Sequence, residues 1–135
     1  MRILELIEFI RSRVSYVYFP NRFPREDDPS HRIDACAAVS IYPGEGADAW
    51  TGKRIPHFQV LVRGNPDGHA EVEAKANEIF DALVNARFAQ IGSDQIVQIT
   101  AIGSAPFYIG DDHNDRPVYS MNFRAVIQPR IQREE

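Results

Sequence analysis

The sequence predicts the α+β class, a mostly antiparallel sheet with an N-terminal helix and a long central helix packed on it. Three observations carry that reading. Segments 3–14 and 69–87 repeat their apolar residues at helical spacing, several others alternate apolar and polar residues as strands do, and Pro, Gly and Asp clusters punctuate the boundaries. The resulting order is α-β-β-α-β-β-β, with no internal repeat or linker, in 135 residues that suit one domain spanning 1–135. With 44% hydrophobic and 25% charged residues, the chain has enough apolar matter for a core and too little charge for a disordered segment.

Ile3, Leu6, Ile7, Ile10 and Val14 fall on one side of the first helix. Tyr16-Val17-Tyr18-Phe19 then turns to β-formers, and Pro20 and Pro24 remove backbone donors and end regular structure. Residues 20–32 hold three prolines among polar and charged groups, which predicts a long surface loop. Ile33, Ala35, Ala37, Val39 and Ile41 alternate along a strand that Pro43-Gly44-Glu45-Gly46 closes, and a second loop, 43–54, carries Trp50 up to Lys53 and Arg54. The next strand, 57–63, is apolar at Phe58, Val60 and Val62.

Asp67 is the expected N-cap of the central helix, and Glu71 and Glu73 lie near the positive end of its dipole. Val72, Ala76, Ile79, Phe80 and Leu83 form its buried stripe, and nineteen residues from His69 to Arg87 give it a length of about 28 Å. Residues 96–102 and 106–110 read as two further strands. The turn-rich run 111–115 joins the second of them to a last strand, on which Tyr119, Met121, Phe123, Ala125 and Ile127 make an apolar side.

Fifteen basic against nineteen acidic side chains leave a net charge of −4, which argues against a protein that grips nucleic acid by neutralising phosphates. Arg22, Arg25 and Arg32 cluster in sequence, as do Arg124, Arg130 and Arg133, and both groups read as solvated surface. Cys36, the single cysteine, has small apolar neighbours and reads as a buried residue; the absence of a cysteine pair points to an intracellular place of folding. Glutamates interrupt the amino-terminal apolar run, so no export signal is expected, and no run approaches the ~20 residues that cross a bilayer.

Chemistry finds little foothold. Asp111, Asp112, His113, Asn114 and Asp115 supply oxygen ligands of the type hard cations take, but without the turn glycine and closing glutamate of a calcium loop they read as a solvated turn. His31, His57 and His69 lack a visible catalytic partner, no G-x-S-x-G element is present, and Gly44-Glu45-Gly46 opens no helix. No catalytic residue, cofactor site or metal site is therefore expected. Phe23 and Trp50 are large apolar groups in segments too polar for a core. Aromatics and arginines are enriched at protein interfaces, so Phe23 with Arg22 and Arg25, and Trp50 with Lys53 and Arg54, are the candidate subunit or partner contacts.

The run Ile55-Pro56-His57-Phe58-Gln59-Val60-Leu61-Val62-Arg63-Gly64, followed by an Ala- and Glu-rich helix ending Ile79-Phe80-Asp81-Ala82-Leu83, resembles the phage minor capsid and tail-terminator (tail completion) proteins of long-tailed bacteriophages and prophages. Pro106-Phe107-Tyr108-Ile109-Gly110-Asp111-Asp112, then Arg116-Pro117-Val118-Tyr119-Ser120-Met121-Asn122-Phe123, is similar to that family's closing hairpin, so the resemblance covers about residues 55–127. It implies a non-enzymatic virion protein, assembled in the host cytoplasm, that forms a hexameric ring at the head-proximal end of the tail. Such a ring halts tube growth and gives the head connector something to bind.

The implied partners are further copies of the chain, the tail tube protein and the connector, with DNA passing through the lumen without specific binding. The loops 20–32 and 43–54 match no motif of the family, and the acidic turn departs from the glycine-containing form usual there. Two other readings stand beside this one: a head-completion protein that binds the connector directly, and a small metal-dependent enzyme built on Asp111, Asp112, His113 and Asp115.

Overall fold

The computed structural model describes residues 1–129; Arg130 and Arg133 of the second basic cluster lie outside the described residues. The first helix, α1 (Ile3–Arg13), starts where the Arg2 backbone N–H donates to Glu5 Oε1 at 2.8 Å, and it buries Leu6, Ile7 and Ile10. Its last turn is tied to the next element, β1 (Tyr18–Pro20), because the buried Tyr18 hydroxyl donates to the Val14 carbonyl at 2.7 Å. A loop containing a 3-10 turn at Pro29–Arg32 leads to β2 (Cys36–Glu45) and β3 (Ile55–Arg63), an antiparallel hairpin. Then come α2 (His69–Leu83), β4 (Arg87–Ile91), β5 (Asp94–Asp111) and β6 (Pro117–Ile127).

The six strands form one sheet in the order β1-β2-β3-β6-β5-β4, antiparallel throughout except where β1 joins β2. Register decides which residues meet the helices. Val60 lies opposite Val39 and Met121, and Phe58 opposite Ile41 and Phe123, so one side of the sheet is apolar and takes both helices. There Phe58 and Phe123 stack at 5.0 Å between centroids, with Phe80 of α2 tilted against Phe123 at 5.7 Å. The other side carries Ser40, Gln59, Ser120 and Asn122 in its middle, and among the described residues no helix covers it. Every residue of the expected α2 stripe is buried, as are the five apolar positions of β6 and the Cys36 side chain.

The expected helix boundary moves. Val84 turns extended and Asn85 then adopts φ +62, a conformation asparagine tolerates better than most residues, so α2 closes at Leu83 instead of Arg87. The released segment becomes β4, a sheet edge that the sequence did not announce. At the helix start, Gly68 occupies the N-cap. Asp67 instead sits at φ +57, with its N–H donating to the Asp115 carbonyl at 3.1 Å, so it ties the helix entry to the acidic turn.

The two expected strands 96–102 and 106–110 are one strand with an irregularity. Ile102 pairs with Asn122 and Phe107 with Ser120, leaving the four residues 103–106 opposite Met121 alone. Gly103 permits this excursion through its φ of +101.

Candidate functional site

The proline-rich loop does not hang free; two buried arginines hold it. Arg63, at the end of β3, donates from Nε to the Asp34 carbonyl at 3.0 Å and from Nη2 to the Ile33 carbonyl at 2.7 Å. Its guanidinium also lies over the Phe23 ring at 4.7 Å. Arg116, at the end of the acidic turn, donates from Nε to Asp112 Oδ2 at 2.8 Å and from Nη1 to Asp34 Oδ1 at 3.2 Å. The same Nη1 reaches the His31 carbonyl at 3.2 Å, and Nη2 lies 3.3 Å from His31 Nε2. A buried guanidinium is stable only with its donors satisfied, and here the loop and the turn supply the acceptors together.

This arrangement accounts for the acidic turn. Burial opposes ionisation of Asp112, but N–H donation from the backbones of Arg116 and Asn114 and from the Arg116 side chain outweighs it and holds the carboxyl below its ordinary range. Asp111 accepts from the Tyr108 hydroxyl at 2.7 Å, and His113 contacts Glu26 of the loop. Asp111 and Asp112 thus each face a partner of their own. Among the described residues, no group of three or more His, Cys, Asp or Glu side chains is placed to hold a metal ion.

The histidines also have neighbours the sequence did not reveal. His31 Nδ1 lies 3.1 Å from the Pro24 carbonyl, and His69 packs edge-on against Tyr108 with centroids 5.7 Å apart. The Cys36 thiol is buried, and that burial pushes its pKa up, which makes it a poor nucleophile.

Of the candidate contact residues, Phe23 is half-buried on Arg63, while Arg22 and Arg25 beside it are exposed. Trp50 is 96% exposed at the tip of the β2–β3 hairpin. The tip is nevertheless ordered by one side chain. Asp48 Oδ1 accepts from the N–H groups of Trp50 at 2.8 Å and Thr51 at 2.9 Å, and its backbone N–H donates to the Lys53 carbonyl at 2.9 Å. These hydrogen bonds hold the Asp48 carboxyl below its usual pKa. Arg54 anchors the base of the tip: its guanidinium is 3.5 Å from the buried Asp94, and its carbonyl accepts from the Ile127 N–H at 3.0 Å. Lys53 is exposed between them.

The structure adds residues that sequence reasoning passed over. Ile102, Phe107 and Ile109 are exposed along β5 on or beside the side of the sheet that lacks a helix, with Phe107 70% exposed. The signal was present in the sequence: the consecutive run Phe107-Tyr108-Ile109 breaks strand alternation, so a sheet with both helices on one side leaves part of it in solvent.

A family model described as a bacteriophage tail terminator protein matches residues 7–129. Among solved structures, the chain is similar to one titled "Virion of native gene transfer agent (GTA) particle", with a TM-score of 0.56 and 19% identity, over 87% of this chain and 83% of that one. At that identity the likeness establishes a shared fold. No curated protein matches the chain.

Proposed function

The chain belongs to the bacteriophage tail terminator family, and on that premise we propose that its copies close into a hexameric ring at the head-proximal end of a phage-type tail tube, ending tube growth and receiving the head connector. The observation that carries this reading is the family match over residues 7–129, which takes in α2 and all six strands. The solved relative, a chain of a virion particle, supports placing this one in a virion too.

The physics suits the role. A tube stops growing when its last ring offers the next tube subunit no matching surface, so the work is done by shape and needs no reaction. A ring needs two different patches on each subunit that meet head to tail. The exposed hairpin tip, together with the loop that Arg63 and Arg116 fix in place, provides contact surface that loses little freedom on assembly. We also propose that residues 1–135 act as one domain, and that Arg22, Phe23, Arg25, Trp50, Lys53 and Arg54 lie at subunit or partner contacts. A net charge of −4 keeps passing DNA from binding tightly to the lumen.

Negative-stain imaging of particles assembled with and without the protein tests the reading. Tails of uniform length with it, and overlong tubes without heads in its absence, are expected. Unchanged tail lengths in its absence would remove the terminator role, and co-purification with the connector but never with tubes would make it a head-completion protein.

A further inference from the structure

Resting on the ring reading above, we propose that the contact between neighbouring subunits is made by Trp50: its indole seats on the exposed Ile102, Phe107 and Ile109 strip of the next copy, and Lys53 lies beside that copy's Asp111. Three features of the chain converge on this.

The first is the preparation of the donor. A tryptophan exposed at 96% costs solubility, and the Asp48 hydrogen bonds fix the tip that carries it before any partner arrives. A preset aromatic knob sacrifices little conformational freedom on docking, and tryptophan is among the side chains enriched at the energetic centres of interfaces.

The second is position. The tip precedes Ile55 at one end of β3, whereas Phe107 lies across Ser120 from Leu61, near the other end. Six residues of strand put Phe107 about 20 Å along β3 from the base of the tip, so knob and strip are separate patches. Two separate patches are the requirement for a head-to-tail contact that can close into a ring.

The third is charge. Lys53 is exposed beside the knob on a tip that also carries Glu45, Asp48 and the Asp94-paired Arg54, while Asp111 and Asp115 follow the strip in sequence and are exposed. The acidic end of the strip gives Lys53 of an incoming tip an opposite charge to face.

The test uses two full-length variants and their mixture. Native mass of the wild type is measured alone and with isolated tubes, then for Trp50→Ala, for Phe107→Asp and for the two combined, with circular dichroism confirming that each is folded. Each variant alone is expected to associate about thirtyfold more weakly or worse. Their equimolar mixture is expected to form dimers and nothing larger, since only one intact knob and one intact strip remain per pair.

Assembly of either variant as well as wild type overturns the contact and leaves the ring reading standing. A mixture that stays monomeric while the wild type assembles overturns the pairing of these two patches. A wild type that is monomeric under every condition, tubes included, removes the ring reading and this contact with it. Should Phe107→Asp lose its fold, Ile109→Ser replaces it on the strip side with the same expectations.

Discussion

The guanidinium of Arg63 lies 4.7 Å from the centroid of the Phe23 ring, and this contact anchors a segment whose composition would otherwise leave it in solvent. Arg63 also satisfies the carbonyls of Ile33 and Asp34, so the ring covers a cation already committed to the far end of the same loop. Phe23→Ala should therefore destabilise the chain by about 1–2 kcal/mol, with Phe23→Leu losing roughly half as much because it keeps apolar cover without a π face. Arg63→Ala should cost about 3 kcal/mol, since two carbonyls lose their donor. Urea unfolding of both single variants and the double variant measures the coupling; strictly additive losses would mean that ring and guanidinium do not act on each other.

Acid should loosen the junction between loop and turn. The Asp112 carboxyl is held below its ordinary pKa in the folded chain, so its contribution is complete above the unfolded value, about 3.9, and disappears as pH falls through the lower folded value. Asp112→Asn removes that contribution at every pH while leaving the buried Arg116 with Asp34 and the His31 carbonyl. The wild type should exceed the variant by about 1–3 kcal/mol at pH 7, and the gap should narrow as pH drops below about 4. A gap that stays constant from pH 7 to 3 would show that the carboxylate's charge is not what holds Arg116.

Gly44 marks a fixed point in the hairpin that presents Trp50. It has φ +66 at the register shift between Tyr42 and Glu45, and a Cβ there would stand 2.2 Å from the Ile55 carbonyl oxygen, a backbone atom that cannot swing aside. Gly44→Ala should cost about 2–4 kcal/mol from the left-handed conformation and the clash together. Gly52 offers the control. It has a comparable φ of +73 but open space around it, so Gly52→Ala should cost only about 1–2 kcal/mol. Equal losses in thermal unfolding at the two sites would refute the steric part of the argument.

Legibility in the sequence followed whether the signal was local. The stripe Val72, Ala76, Ile79, Phe80 and Leu83 and the alternation from Tyr119 to Ile127 were readable because side-chain period follows directly from backbone geometry. β4 was not, because Ala86 and Ala89 continue a helical pattern while the chain is diverted at Val84, which is extended, and at Asn85 and Phe88, with φ of +62 and +54. Arg63 and Arg116 drew no reading from the sequence, since the loop acceptors they bind lie roughly 30 and 80 positions away along the chain. Phe23 and Trp50 looked alike in sequence. The structure separates them, one resting on a buried cation and the other fully in water, because a distant arginine reaches the first loop and nothing comparable reaches the second.

That separation gives Trp50 a spectroscopic use. It is the chain's single tryptophan, and at 96% exposure it makes almost no contribution to folding. Trp50→Ser should shift stability by no more than about 0.5 kcal/mol, whereas Asp48→Ala, which frees the Trp50 and Thr51 N–H groups, should loosen the tip without altering the core. In the isolated wild type, indole emission should be red-shifted as in water and fully open to iodide quenching. If the tip docks on another subunit, assembly must move the emission to the blue and protect it from iodide, because an indole leaving water for an apolar strip loses both its polar surroundings and its access to the quencher. Emission and quenching that stay unchanged while native mass shows assembly would place Trp50 outside every contact the ring makes.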